Sequence, residues 1–367
     1  QICEGVKAQG YSAMIKDRTG LELSPYFSAS KLAWIFQNVP EAGPLAEKGD
    51  LCCGTIDSWL VFKLTQGAEF KTDYSNASRT QLLNLCSLTW DREICRIFGI
   101  PVSCLPKICD SDAIFGKTRM EGLFDEAIPI SCVMGDSHGA LFGQGCLEPG
   151  MAKATYGTGS SVMMNVGDAP VFSNQGLAAS LAWSRGGKVQ YVLEGNINYT
   201  GAVITWLQKQ LGLIEHASET EGLALKANPR DRTYIVPAFT GLGAPYYNSD
   251  ATALITGVTR MTGKPELVKA ALDCIAYQIQ DVLVLMDREF GKGTGRGIAA
   301  LRVDGGPTRN RYLMQFQSDV LGIPVEVPGD EELSGIGVAY MAGIRLGFYD
   351  ITDLFGDSGR ERYVPRM

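Results

Sequence analysis

The chain has 367 residues, 45% hydrophobic and 20% charged, with a formal net charge of −7. That length exceeds one ordinary core and predicts two domains, and the balance of residues is that of a folded globular protein rather than a disordered one. An acidic surplus with no Lys/Arg run against it excludes nucleic acid and anionic membrane as expected partners, and no apolar stretch approaches the ~20 residues of a bilayer span.

The ten Cys are irregularly spaced and include no C-x-x-C pair, so free thiols in a reducing cytosol are expected. Two His, without metal-ligand spacing, argue against a structural zinc site. No signal peptide is visible, and the expected location is cytoplasmic. The chain opens QICEGVKAQG, without Met. This reads as the end of a helix begun earlier, so a preceding portion is expected.

In chain order, SKLAWIFQN (30–38) predicts a helix with Leu32, Ile35 and Phe36 on one face. TIDSWLVFKLT (55–65) carries an apolar stripe suited to packing on a sheet. IPISCVMGD (128–136) predicts a short buried strand, with a helix starting just after Asp136. Gly and Pro cluster in GQGCLEPG (143–150), which places a domain boundary near 145–150. Residues 151–167 read as two strands around the Gly157-Thr158-Gly159 turn, and VQYVLEGNI (189–197) as another strand. GAVITWLQKQLG is a helix stopped by Gly212. TYIVPAFTGLGAPYY is a strand running into a Gly/Pro loop, and His216 falls in a polar loop. Residues 265–288 keep helical apolar spacing throughout. Residues 298–322 read as strand, glycine turn at Asp304-Gly305-Gly306, and a helix opened by Pro307. The alternation points to α/β architecture.

Three strand ends carry the residues suited to chemistry. Gly135-Asp136-Ser137-His138-Gly139 fits G-x-S-x-G, the nucleophile-elbow pattern. The adjacent His138 cannot readily fold back on Ser137, however, and no HGGG-type oxyanion segment lies upstream. Asp136 itself is a carboxylate at a strand end followed by small residues. It can accept a proton from an attacking hydroxyl or hold Mg²⁺; equally, it can cap the next helix. The YGTGSS and VDGGPTRN turns can bring backbone N–H groups against phosphate oxygens, or simply be tight connections. Neither has the Walker or Rossmann spacing. Together the three sites suggest a phosphoryl-transfer cleft between two lobes.

The motifs PYFSASKLAWI, TDYSNASRTQLLNL, GMAKATYGTGSSVMMN, VPAFTGLGAPYY, GVTR and LRVDGGPTRNRYLMQFQSDVLG occur in this order over nearly the whole chain. On them the chain resembles the FGGY family of carbohydrate kinases, above all its glycerol-kinase members. The resemblance implies two ribonuclease-H-like, actin-type lobes around a central cleft. Residues 1–145 would be the remainder of a substrate-binding lobe incomplete at its N-terminus, and residues 146–367 the nucleotide-binding lobe. It implies ATP-dependent phosphorylation of a small polyol or sugar, with Asp136 as general base. Tyr26, Asp136 and Ser137 would line the substrate site. Thr158, Gly201, Thr205, Gly306 and Asn310 would lie along the ATP site, with Mg²⁺ near Asp136. Thr205 stands where the family usually carries Gln. A homodimer or higher homo-oligomer is the expected assembly.

Two departures matter. The family usually reads Gly-Asp-Gln at the base motif, and here Ser137 replaces the Gln. Ser161 stands where an aromatic often covers the acceptor carbons. Both widen the pocket, toward a tetritol, a pentitol or a ketopentose such as xylulose or ribulose, or else are tolerated changes in an enzyme for glycerol. The family's N-terminal phosphate loop and substrate-gripping Arg-Glu pair are not found in this chain. The alternative of a different class is a non-catalytic sugar-binding member.

Overall fold

The computed structural model of the chain describes residues 1–294, 297–330, 332–355 and 359–366. The first part of the chain is mostly helical, packed around Ile15, Ala29, Ala33, Leu82, Ile94 and Phe98. In α1 (Ser28–Asn38) the fully buried positions are Ala29, Ser30 and Ala33. Leu32 and Phe36 pack partly against this core, but Ile35 is exposed. The predicted face is therefore rotated, because small residues let the helix approach its neighbours closely. In α2 (Ile56–Leu64), Asp57, Ser58 and Val61 are buried, whereas Ile56, Trp59 and Leu60 are exposed, Ile56 by 70%. Only part of the predicted stripe packs inward. Strand β1 (Lys71–Asp73) pairs in parallel with β2 (Lys107–Cys109), and Asp73 caps the short helix Tyr74–Ala77.

The expected strand at 128–136 is confined to Ile128–Ile130, which pairs with Gly116–Thr118. Residues 131–135 belong to no strand. Helix α3 (Asp136–Gly143) follows, with Gly135 at its N-cap.

The second part holds the main sheet. Its strands are β3 (Ala152–Tyr156), β4 (Ser160–Gly167), β5 (Ala178–Arg185), β6 (Lys188–Ile197), β7 (Leu301–Asp304), β8 (Val325–Val327) and β9 (Glu361–Tyr363). Among the described residues the order is β9-β8-β7-β3-β4-β6-β5. Strands β3, β7 and β8 run parallel, β4 runs antiparallel to β3, and β6 lies between β4 and β5, antiparallel to both. Strands β3 and β4 are buried on both faces.

Helix α4 (Gly201–Lys209) follows β6, and α5 (Lys264–Thr294) is the long helix read from residues 265–288, extended by one residue at its start and six at its end. Pro307 opens only a 3-10 turn, Gly306–Arg309. The α-helix itself, α6 (Arg311–Leu321), starts at Asn310, whose side chain accepts from Leu313 N–H and resets the helix there. Helix α7 (Leu333–Leu346) packs on α3 through glycines. A Cβ on Gly337 would lie 1.9 Å from Gly139 O, and one on Gly143 would lie 2.4 Å from Leu333 O. Only glycine allows this approach, which fixes the helix carrying Asp136 against the second part of the chain.

Candidate functional site

The carboxyl ends of the parallel strands β3 and β7 lie side by side, with Asp304 opposite Thr155. Each runs into a glycine turn. At Gly305 φ is +98°, and a Cβ there would meet Tyr156 O at 2.1 Å, so the two turns abut and exclude any side chain at Gly305. Gly306 is exposed, and a Cβ there would meet nothing within 4 Å. Its backbone is open to a ligand. Such strand ends are where open α/β sheets bind ligands.

The Gly157-Thr158-Gly159 turn is held from behind by α4. Thr158 O accepts from Thr200 N–H and Ala202 N–H, both at 3.0 Å, and Gly157 O accepts from Gly201 N–H at 2.9 Å. The Thr200 hydroxyl, fully buried, donates to Gly157 O at 3.0 Å and accepts from Ser160 Oγ at 3.0 Å. These bonds leave Thr158 exposed. Thr158 and Gly201 therefore meet, and Gly306 lies in the neighbouring turn. Thr205 is exposed one helical turn on, its hydroxyl donating to Gly201 O at 3.2 Å. Asn310 is more committed: its Oδ1 caps α6 and its Nδ2 donates to Thr220 Oγ1 at 3.0 Å. Its side chain thus holds two helices in register.

Asp136 is exposed at the first residue of α3, its carboxylate accepting from Ser137 N–H at 2.6 Å. Ser137 is half-buried. His138 turns inward, with Nε2 3.4 Å from Ser180 Oγ. Burial depresses its pKa to about 4, against the opposing pull of Glu194. It is a neutral packing group, and among the described residues no hydrogen bond joins it to Ser137. The nucleophile-elbow reading therefore loses its base.

Beneath Asp136 lies a buried ionic cluster that sequence reasoning missed. Lys153 is fully buried on β3, its ammonium donating to Thr155 Oγ1 at 2.8 Å. Burial lowers its pKa, against the fields of Asp304, Glu194 and Asp136. Asp304 accepts from Gln144 Nε2 at 2.9 Å. Burial opposes ionisation of Glu194, yet Arg79 and Lys153 hold its carboxyl below the ordinary glutamate value. Arg79 pairs with it at 2.7 Å. The only available signal was one Lys inside an otherwise apolar strand.

A cleft of about 1860 Å³ runs from Tyr26, Phe27 and Arg79 to the Gly157 turn and Ser161. Tyr26 is 69% exposed and meets Phe27 edge-on at 5.3 Å, and Arg79 lies over the Phe27 ring at 5.5 Å. Ser161 Oγ faces Glu194 Oε1 at 3.4 Å. Asp136, Ser137, Thr158 and Gly306 do not line this cleft, whereas Tyr26 and Ser161 do.

Among the described residues no group of three or more His, Cys, Asp or Glu is placed to hold a metal ion. One exposed carboxylate, Asp136, with water and phosphate completing the shell, is a donor set that suits Mg²⁺ and does not suit a metal caged by protein. No described helix is long and apolar enough to cross a membrane.

Residues 1–143 match the N-terminal domain, and residues 152–346 the C-terminal domain, of the FGGY family of carbohydrate kinases. A glycerol kinase of Geobacillus sp. (strain WCH70) is 47% identical over the whole chain and 73% of its own length. Glycerol kinase 1 of Thermotoga maritima is 48% identical over the whole chain and 74% of its length. A solved Plasmodium falciparum glycerol kinase with ADP superposes with a TM-score of 0.91 at 34% identity, over 100% of this chain and 74% of that one. A Lactobacillus acidophilus xylulose kinase shares the fold, with a TM-score of 0.86 at 21% identity, over 100% of this chain and 73% of that one. The expected two-lobed, actin-type α/β fold is that of these neighbours.

Proposed function

Since the chain belongs to the FGGY family of carbohydrate kinases and is an ATP-dependent phosphotransferase acting on a sugar or polyol, we propose that Asp136 is its general base. The carboxylate accepts the proton of the acceptor hydroxyl as that oxygen attacks the γ-phosphorus of ATP. The bond to the β-phosphate oxygen breaks, and ADP leaves with the electron pair. The observation that carries this reading is the exposed Asp136 carboxylate within the field of buried Lys153, whose strand ends at the two abutting glycine turns.

Tyr26 and Ser137 join Asp136 in holding the acceptor. Thr158, Gly201 and Gly306 present backbone and hydroxyl to the nucleotide, flanked by Thr205 and Asn310. Asp136 would also hold Mg²⁺, which would supply charge neutralisation at the phosphates. Residues 1–145 form the acceptor side and residues 146–367 the nucleotide side. Closure of the two excludes water, so that ATP is not hydrolysed. The enzyme works in the cytoplasm as a homodimer or larger homo-oligomer.

Ser161 supports a second reading of the acceptor. It faces the cleft and Glu194, beside Arg79, so that end of the site is polar and uncovered. This suits a four- or five-carbon polyol or a ketopentose such as xylulose or ribulose better than glycerol. The test is ADP release with Mg·ATP and glycerol, erythritol, ribitol, xylulose or ribulose. Acceptor-dependent release is expected. A folded protein that binds ADP but releases none with any of these acceptors contradicts the proposal and supports a non-catalytic binder.

A further inference from the structure

The backbone leading to Asp136 is not held by a sheet, since residues 131–135 belong to no strand. Two tethers hold it. Val133 N–H donates to Ser111 O at 3.1 Å, and Gly135 N–H donates to Ser75 Oγ at 2.9 Å. The second acts on the residue immediately before Asp136.

The Ser75 hydroxyl is fully buried, and its direction is set by a charge. Its proton goes to Asp73 Oδ1 at 2.9 Å, which leaves its lone pairs to accept from Gly135. Asp73 is itself 0% exposed. Its two oxygens accept from Ser75 N–H at 3.0 Å, Asn76 N–H at 3.0 Å, Asn76 Nδ2 at 2.8 Å and Ser111 Oγ at 2.7 Å, besides the Ser75 hydroxyl. A helix cap needs only the backbone pair of these bonds. The rest lock a buried carboxylate to both sides of the 131–135 segment. At the far end the position is equally tight: a Cβ on Gly135 would lie 2.8 Å from His138 Nδ1.

We infer that Asp73 and Ser75 are positioning residues for Asp136: the carboxylate orients the Ser75 hydroxyl, and the hydroxyl fixes the Gly135–Asp136 peptide. Neither touches substrate. The inference rests on the reading of Asp136 as base. A reacting group displaced by about 1 Å can lose a factor of roughly 100 in rate, so a loosened tether acts on kcat and leaves nucleotide binding alone.

Ser318→Ala supplies the control. It removes an equally buried hydroxyl, which donates to Ile323 O at 2.9 Å and Tyr363 O at 3.1 Å in the second half of α6, and it leaves the bonds of Asp73, Ser75 and Gly135 intact. We compare Ser75→Ala, Ser318→Ala, Ser75→Cys and Asp136→Asn for kcat, KM of ATP and melting temperature. Ser75→Ala is expected to lower kcat by about tenfold or more at unchanged KM for ATP. Ser318→Ala should lower the melting temperature comparably and keep kcat within about twofold. Ser75→Cys keeps the shape with a weaker acceptor and should fall between native and Ser75→Ala, which preserves the test if the alanine variant does not fold. Native kcat in either Ser75 variant, with Asp136→Asn inactive, overturns the positioning role alone, as does an equal kcat loss in Ser318→Ala. An active Asp136→Asn overturns the base reading and this inference with it.

Discussion

Gly201→Ala tests whether the glycine turn after β3 is a nucleotide contact. The added Cβ would stand 2.6 Å from Gly157 O and 3.4 Å from Gly157 C. Non-bonded heavy atoms sit best at roughly 3.5 Å, so helix or turn must move by most of an ångström. The turn cannot yield freely, because Gly157 O and Thr158 O already accept four hydrogen bonds from residues 200–202 at 2.9–3.0 Å. Overpacking of this kind costs about 1–3 kcal/mol. If most of that strain falls on the turn, nucleotide affinity drops by about 5- to 150-fold. The assay is ADP titration by calorimetry, with KM for ATP and for the acceptor measured in parallel. ADP affinity and KM for ATP should change while KM for the acceptor holds. Gly222→Ala is the matched control: a Cβ there meets nothing within 4 Å in the helix Glu219–Lys226, so the substitution should stabilise by about 0.5–1 kcal/mol without altering KM. Native ADP affinity in Gly201→Ala would refute the reasoning.

His138 should make the fold acid-sensitive. Burial holds it neutral down to about pH 4, with Glu194 and Asp136 favouring and Arg79 and Lys153 opposing its charge, whereas the unfolded chain takes up the proton near pH 6.5. Stability is therefore full above about 6.5 and falls by about 3 kcal/mol toward pH 4. Urea unfolding without nucleotide or Mg²⁺ should show this slope in the native protein and a weaker one in His138→Gln. Ser161→Phe should shift the kcat/KM ratio about tenfold, or 1.4 kcal/mol, toward glycerol over five-carbon acceptors, as measured by competition. An unchanged ratio would mean that position 161 does not face the acceptor. His216→Gln should leave turnover native. His216 sits in an exposed loop, where its N–H donates to Glu219 Oε1, and a large loss of kcat would count against the assignment of roles.

The parts of the fold legible in the sequence were those with local periodicity. The hairpin at 151–167 was marked by its Gly157-Thr158-Gly159 turn, and the long helix at 265–288 by helical apolar spacing that runs unbroken through it. The approach to Asp136 did not. SCVMG has the apolar character of a strand, but it is fixed by Ser75 and Ser111, polar residues 60 and more than 20 positions away in sequence. The helix at 28–38 was found but its face misjudged, because Ala29 and Ala33 take the buried side and hydrophobicity alone favours Ile35. Thr158 and Gly306 were legible as parts of glycine turns at strand ends. Lys153, Thr200 and Glu194 were not, because each acts through partners brought close only by the sheet.

The measurement that tests the account most directly is turnover of Asp136→Asn beside its nucleotide binding. Acceptor-dependent ADP release is followed with the best acceptor of the panel, and ADP affinity is measured by calorimetry on the same preparation. The account predicts release lower by a factor of about 100 or more, with ADP affinity measured without Mg²⁺ near native, since Asn keeps the shape and removes only the carboxylate that takes the proton and would hold the metal. Turnover within about tenfold of native would contradict the role of Asp136 as the base.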